Sequence, residues 1–257
     1  MPESESLALN LAAPLPTVSS MAMIAEVVRV SPRAALVVLD LQNRAFSFLP
    51  GQAVLVGVPG QARRRPFSIA CSPEHAAVSR RIDLLVGTEP GETQGRLPLQ
   101  PGTTLEVEGP VGTFTLPSGL AHRRVLFVAG GTGIAPVRSM LDHARRRHAS
   151  TTLALLYSAR SADELVFLHE WRALAAVGRI ALHSTITGTD VRWTGARGRL
   201  GARQFGAYLG DPLDTLCFVC GPASFVRDGV AALVDLGVPR EAVRTEQWCV
   251  MPDVAVG

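Results

Sequence analysis

Apolar and polar residues alternate along this chain with two different periods. From Met23 to about Leu116 the apolar runs are short and divided by turn signals. Residues 24–30, 34–41, 53–58, 66–70, 82–86 and 104–108 predict six strands, punctuated by Pro50-Gly51, Pro59-Gly60, Pro90-Gly91 and Pro101-Gly102. Many short strands at near-regular spacing suggest a closed antiparallel barrel, although a sandwich shares the pattern. From Arg123 onward the texture changes. Strands are expected at 125–129, 153–157, 181–185 and 216–220, and helices at 136–148, 161–177 and 222–236. Val137, Met140, Leu141 and Ala144 share one face at helical spacing. Ser161-Ala-Asp-Glu164 reads as a capping box for the second helix, with Gly178 past its end. Strands alternating with helices predict a parallel sheet covered by helices. The boundary falls near residues 117–122. This gives a loose tail over 1–20, a barrel domain over 21–118 and an α/β domain over 119–257.

Composition narrows the classes. A chain of 257 residues, 47% hydrophobic and 18% charged, holds ample material for two cores and shows no sign of wholesale disorder. A net charge of +3 does not argue for a nucleic-acid partner. Arg123-Arg124 and Arg145-Arg146-Arg147 read as solvated faces. No stretch approaches the roughly 20 apolar residues of a membrane span. Glu3 and Glu5 stand where a secretory signal would be positive, so a cytoplasmic protein is expected. Cys217-Phe-Val-Cys220 is formally a C-x-x-C, but in a strand the two would not share a face. No further Cys or His stands at ligand spacing, and the C-x4-C-x2-C of a plant-type iron–sulfur centre is absent, so no metal is expected.

Two segments carry candidate chemistry. The apolar run Val125-Leu-Phe-Val-Ala129 leads into Gly130-Gly131-Thr132-Gly133-Ile134-Ala135-Pro136. A strand, a glycine turn and a proline at the expected first helical position offer bare backbone N–H groups and a helix N-terminus to a phosphate. The turn departs from the usual G-x-G-x-x-G, because Pro136 stands where the third glycine belongs. The second strand ends in Ser158-Ala159-Arg160, with no carboxylate to grip a ribose 2′-hydroxyl. In the first half, Arg65-Pro66-Phe67-Ser68 follows two more arginines. An arginine fork suits a pyrophosphate, a phenyl face suits a flat heterocycle, and a hydroxyl can bond a ring nitrogen. On spacing alone the segment reads as an ordinary strand with a surface arginine and a core phenylalanine.

Together with Cys220-Gly221-Pro222, these segments resemble the ferredoxin–NADP+ reductase superfamily over residues 23–248. The family pattern is R-x-[YF]-S on a flavin-binding barrel, then G-G-T-G-x-[AT]-P, then C-G-P, in the order found here. The resemblance implies an N-terminal antiparallel Greek-key β-barrel for the flavin and a C-terminal α/β domain with a parallel sheet for NAD(P)H. It assigns Arg65 to the flavin phosphates, Phe67 to the isoalloxazine or ribityl chain and Ser68 to the flavin N5. Pro66 lies within this segment, and the backbone of Ile69 and Ala70 would continue along the flavin. The family's G-x-x-S-x-x-L aligns with Gly91-Glu92-Thr93-Gln94-Gly95-Arg96-Leu97, in which Gln94 replaces the serine beside Thr93. Gly131, Thr132, Gly133 and Pro136 would frame the coenzyme pyrophosphate, and Arg160 would face a 2′-phosphate. Cys220, followed by Gly221 and Pro222, would stand beside the nicotinamide. Glu246-Gln247-Trp248 resembles the near-terminal E-x-aromatic, so that Glu246 joins Ser68 and Cys220 as catalytic candidates and Trp248 packs near the flavin.

The activity so implied is hydride transfer from NADPH or NADH to FAD, with electrons passing on to a separate acceptor. Ferredoxin, flavodoxin or an oxygenase component would fill that role. The alternative is an electron-transfer subunit of a larger complex. Relatives of that kind add a cysteine-rich segment near the C-terminus, where this chain has only Cys249. A further alternative is a binding module that has lost turnover, against which the intact Ser68 and Cys220 count.

Overall fold

A computed structural model describes residues 17–42, 44–88, 97–247 and 254–255. The first half contains β1 (Val18–Ser31), β2 (Ala34–Asp40), β3 (Ala53–Gly57), β4 (Arg63–Ser68), α1 (Pro73–Ser79), β5 (Arg81–Gly87) and β6 (Thr104–Val111). From edge to edge the strands run β4-β3-β6-β1-β2-β5, all antiparallel. A bridge between Ile69 and Leu84, with the Ala70 N–H donating to Asp83 O at 2.7 Å, joins the two edges. The sheet is therefore a closed Greek-key barrel and not a sandwich, with β6 inserted between β3 and β1. Alternate residues fill it: Val37 and Leu39, Val54 and Val56, Ile82 and Leu84, Leu105 and Val107.

Three features differ from the sequence expectation. Val18–Ser20 belong to β1 and not to a loose tail, because they pair with Gly109, Glu108 and Val107 of β6. That pairing is between backbones and leaves Val18 and Ser19 exposed, so the hydrophobic pattern carries no trace of it. The helix α1 was not expected. Ser72 caps it by accepting from the His75 N–H at 3.3 Å, and Pro73 opens it, but it buries only Ala76. Near the C-terminus, β13 (Val254–Ala255) pairs with Arg64 and Arg63, so the chain returns to the barrel at the strand that carries Arg65 to Ser68.

The second half holds β7 (Arg124–Gly130), α2 (Ile134–Arg147), β8 (Thr152–Ala159), α3 (Leu168–Ala176), β9 (Ala181–Ile186), β10 (Ala196–Arg197), α4 (Ala202–Leu209), β11 (Thr215–Gly221), α5 (Ala223–Asp235) and β12 (Val243–Gln247). The sheet is parallel throughout, in the order β10-β9-β8-β7-β11-β12. The chain winds outward from β7 to β10, then crosses back to β11. The order thus reverses between β7 and β11, the place where open α/β sheets take their ligands. Phe127, Leu155 and Phe218 pack on one face with α2 and the barrel's Phe114 and Leu116. Val128, Leu156, Cys217 and Val219 pack on the other with Phe205 of α4 and Val226 and Leu233 of α5. Cys217 and Cys220 therefore face opposite ways.

The helix expected over 161–177 is interrupted. Ala162–Glu164 form a 3₁₀ turn without a side-chain cap from Ser161, and α3 starts at Leu168 after Phe167 at φ 61°. Leu165 and Val166 are buried instead, and the Val166 N–H donates to Tyr157 Oη at 3.1 Å. Core packing outweighs the local capping signal here. The two halves meet where Phe114 sets its edge on Phe218, which stacks on Phe127, both pairs at 5.5 Å between ring centres. Among the described residues no helix is long and apolar enough to cross a membrane.

Candidate functional site

Parallel pairing sets one row of the site. Ala129 at the end of β7 lies beside Cys220 of β11, which lies beside Glu246 of β12. The barrel supplies the facing group from the end of β4. Ser68 Oγ lies 3.3 Å from Glu246 Oε2, and Cys220 Sγ lies 4.0 Å from the same oxygen. Three residues separated by up to 178 positions thus share one point between the two halves. Burial raises the Glu246 carboxyl above its ordinary value, against the lowering effect of the Ser68 hydrogen bond. Burial, then the Glu246 charge, pushes the Cys220 thiol well up. Cys220 is therefore a packed thiol and not a nucleophile.

The glycine turn is pressed against this row. Gly131 adopts φ 56°, the left-handed region that favours glycine. A Cβ on Gly133 would stand 2.5 Å from the Cys220 carbonyl oxygen, closer than side chains tolerate. Gly131–Gly133 form a 3₁₀ turn, so α2 starts at Ile134 and Pro136 is its third residue, not its first. Proline fits there because first-turn N–H groups have no intrahelical partner. Tyr157 braces the turn from beneath. Its buried hydroxyl lies 3.2 Å from both Gly131 O and Glu164 O and accepts from Val166 N–H.

Two cavities lie near this row, one lined by Pro222, two residues after Cys220, and one by Phe67, which precedes Ser68. The larger, 450 Å³, is lined by Gly130, Gly131, Thr132, Ser158, Arg160 and Pro222, with Ser31, Arg33 and Gly87 of the barrel on its far wall. Arg33 pairs there with Glu164 at 3.5 Å. The smaller, 200 Å³, lies on the barrel and is lined by Arg65, Phe67, Val86, Gly87, Thr88, Leu97 and Leu99. Among the described residues, Thr88 Oγ1 is buried and meets no hydrogen-bond partner, so the smaller cavity carries an unsatisfied polar group.

The structure distributes the remaining candidates unevenly. Pro66 is exposed on β4. Ile69 and Ala70 are wholly buried, and their N–H groups donate to Gln52 O and Asp83 O. They close the barrel. Gly221 lies under the Phe225 ring, which a Cβ there would approach to 2.7 Å. Gly91, Thr93, Gln94 and Trp248 lie outside the described residues. Sequence reasoning missed Thr88, Arg199 and Phe225. Phe225, whose ring also covers Gly130, had a signal in its place three residues after Pro222. Arg199 and Thr88 had none.

Comparison with known proteins adds four findings. Residues 127–230 match the family described as oxidoreductase NAD-binding domain. Ferredoxin–NADP reductase B of Sorangium cellulosum (strain So ce56) is 36% identical over 220 residues, which cover 80% of this chain and 87% of that one. NADPH oxidoreductase of Mycobacterium tuberculosis (strain ATCC 25618 / H37Rv) is 33% identical over 183 residues, which cover 69% of this chain and 46% of that one, so the chain spans under half of its length. Among solved structures, the Amycolatopsis cytochrome P450 reductase GcoB superposes with a TM-score of 0.79 at 25% identity, covering 90% of this chain and 70% of that one.

Proposed function

The chain belongs to the ferredoxin–NADP reductase family, and we propose that it is an FAD-dependent NAD(P)H oxidoreductase that hands electrons to a separate acceptor. The observation that carries this reading is the meeting of Ser68, Cys220 and Glu246 across the two halves, near a cavity on the barrel and a larger one walled by both halves. The residues present fit both groups. The smaller cavity offers Arg65 for phosphates, the Phe67 ring for a flat heterocycle and the unsatisfied Thr88 hydroxyl for a polar atom. The larger offers Thr132, Ser158 and the glycine turn at a helix N-terminus, which suit a dinucleotide pyrophosphate.

When bound, FAD and NAD(P)H supply the chemistry between them, a hydride passing from one ring to the other. The chain's own part is placement and exclusion of water. Gly133 lets the glycine turn lie directly on Cys220, which would set the height of a coenzyme ring held there against β11. Cys220 fills the transfer region with a neutral, polarisable group that binds neither ring strongly. Ser68 and Glu246 hold one hydrogen bond across the two halves, Ser68 Oγ donating to Glu246 Oε2, and the Ser68 hydroxyl would turn to a flavin ring nitrogen if that bond were given up. Glu246, whose carboxyl burial raises above its ordinary value, would be the carboxyl that steadies Ser68 beside the flavin.

Arg160 and Arg199 both line the larger cavity, whose carboxylates Glu164 and Asp228 pair with Arg33 and Arg227, which favours NADPH over NADH. The acceptor is a redox protein: the relatives named above include a ferredoxin reductase and a cytochrome P450 reductase, so a ferredoxin, a flavodoxin or an oxygenase component is proposed. The test is the visible spectrum of the native protein, then anaerobic mixing with NADPH and with NADH. Bleaching of a flavin spectrum, fastest with NADPH, is expected. A colourless protein that takes up no FAD, or a flavin that neither coenzyme reduces, would refute the reading.

A further inference from the structure

Two arginines reach from the parallel-sheet half to backbone carbonyls of the barrel. Arg138 of α2 places Nη1 3.1 Å from Ala70 O and 3.0 Å from Asp83 Oδ2, and its Nε 3.1 Å from Glu170 Oε2. Its guanidinium carbon lies 4.5 Å from the centre of the Phe167 ring. Arg244 of β12 places Nη1 2.7 Å from Thr115 O and lies 5.9 Å over the ring of Phe218. One end of each link lies close to the Ser68–Glu246 contact. Ala70 follows Ser68 by two residues, and Arg244 precedes Glu246 by two on the same strand. Each link therefore grips the chain next to one partner of the Ser68–Glu246 contact. Asp83 serves twice, because its carbonyl closes the barrel on Ala70 and its carboxylate holds Arg138.

We propose that Arg138 and Arg244 are positioning residues, a two-point staple that fixes the register of the barrel against the parallel sheet and so sets the gap that the hydride crosses. The inference rests on the function proposed above. Interfaces between domains of one chain allow relative motion unless something fixes them. One link leaves the halves free to swing about it. Two links leave only rotation about the line that joins them, and the Phe114–Phe218 contact opposes that rotation. Arginine suits the task because a planar fork serves several acceptors at fixed angles. Arg138 uses two nitrogens for three acceptors, which a lysine ammonium on a flexible stem does not reproduce. Contacts between α1 and α2, among them Ser72–Asp142 at 2.6 Å and Glu74–Arg147 at 2.7 Å, keep the halves together when the staple is removed. Its loss then shows as altered register and not as dissociation.

The test uses the full chain loaded with FAD and carrying Arg138→Lys, Arg244→Lys, or Arg138→Met with Arg244→Met. Nitroxide labels at Val78→Cys and Val177→Cys, both exposed positions, report the distance between the halves in a Cys249→Ser background. The expected result is a single narrow distance distribution with both arginines present and a broadened or shifted one without them. Flavin reduction by NADPH falls about tenfold or more, as displacements of around an ångström do. Its isotope effect with C4-deuterated NADPH rises, while NADP+ affinity and FAD content stay within about twofold. The lysine variants fall between, and they decide the matter where the double methionine variant does not fold. An unchanged distance distribution with reduction within twofold would overturn the staple. If the protein with both arginines is not reduced by NADPH at all, the proposed function fails, while the distance measurement still judges the staple.

Discussion

Gly133→Ala is the sharpest probe of how the coenzyme turn meets β11. Gly133 has φ −59° and ψ −6°, which alanine adopts without strain, so backbone preference predicts no loss and even a slight gain. The contact predicts the opposite. The new methyl would stand 2.5 Å from Cys220 O, 2.7 Å from Cys220 C and 3.0 Å from Gly221 N. All three are backbone atoms in a buried central strand, so none can swing aside. Ordinary contact begins at 3.4 Å, so turn and strand must separate by the difference from 2.5 Å, about 0.9 Å. Overpacking of this kind costs about 1–3 kcal/mol of stability, and a displacement near 1 Å at a reacting centre costs about a hundredfold in rate. The assay is thermal unfolding of the FAD-loaded protein with and without NADP+, followed by stopped-flow reduction with NADPH. A lower melting temperature is expected, together with reduction slowed by one to two orders of magnitude. A variant that melts with the parent and is reduced within twofold of its rate would show that Gly133 does not set the ring height.

Other residues give narrower tests. Tyr157→Phe keeps the ring and removes the hydroxyl that joins Gly131 O, Glu164 O and Val166 N–H, at a cost of about 0.5–1.5 kcal/mol, since the Val166 N–H keeps Glu164 O at 2.9 Å. Weaker NADP+ binding by titration is expected, with FAD content unchanged, and equal affinity would remove Tyr157 from the coenzyme turn. The Glu246 carboxyl is raised above its ordinary 4.5 by burial, so it favours the folded state fully below pH 4.5 and loses that contribution as pH climbs through the raised value. Glu246→Gln should therefore gain melting temperature relative to the parent as pH rises from 4.5 to 8, while flavin reduction slows. A constant offset across that range would mean that Glu246 is not desolvated. Cys220 is a buried thiol held well above its ordinary value, so iodoacetamide at pH 8 should leave NADPH-driven reduction intact. Inactivation that mass spectrometry traces to a Cys220 adduct would contradict that placement.

How much of this was legible in the sequence depended on where each residue's partners lie. β7, β8 and β11 are buried on both faces, so each appears as an unbroken apolar run that no other element explains. β12 is the counter-example. It is an edge strand with only Val243 buried, and it reads Val-Arg-Thr-Glu-Gln, so no hydrophobic pattern announces it. Yet β12 carries both Glu246 and Arg244. The motif likeness reached Glu246 because the E-x-aromatic pattern survives in the letters Glu246-Gln247-Trp248. It could not reach Arg244, whose partner is a carbonyl 129 residues away. Carbonyls look alike in every sequence, and the same holds for Ala70 O and Arg138. The Ser161 box failed for a related reason. Its capping signal was present, but the buried Leu165 and Val166 were worth more to the core than three further helical residues.

That asymmetry separates two kinds of site residue. Ser68, Cys220 and Gly133 act through their own atoms at the point of contact, so chemistry restricts the residue type and a motif records it. Arg138, Arg244 and Tyr157 act by holding backbone in place, and any chain that puts a donor at the same carbonyl does the same work. A relative that lost Arg244 while keeping Cys220-Gly221-Pro222 would still match every motif, yet its two halves would keep only one link beside Ser68 and Glu246. Such a chain should bind FAD and NADP+ normally and transfer hydride slowly. The glycine turn, Thr132 and Ser158 that suit the coenzyme pyrophosphate all stand on the parallel-sheet half, although the barrel supplies the far wall of that cavity, whereas the register of the two halves is set by the links across the interface. Coenzyme affinity and hydride-transfer rate should then vary independently among substitutions at Arg138 and Arg244, and together among substitutions at Gly133. Matched measurements of NADP+ affinity and reduction rate over these three positions would refute the separation if the two quantities moved in proportion throughout.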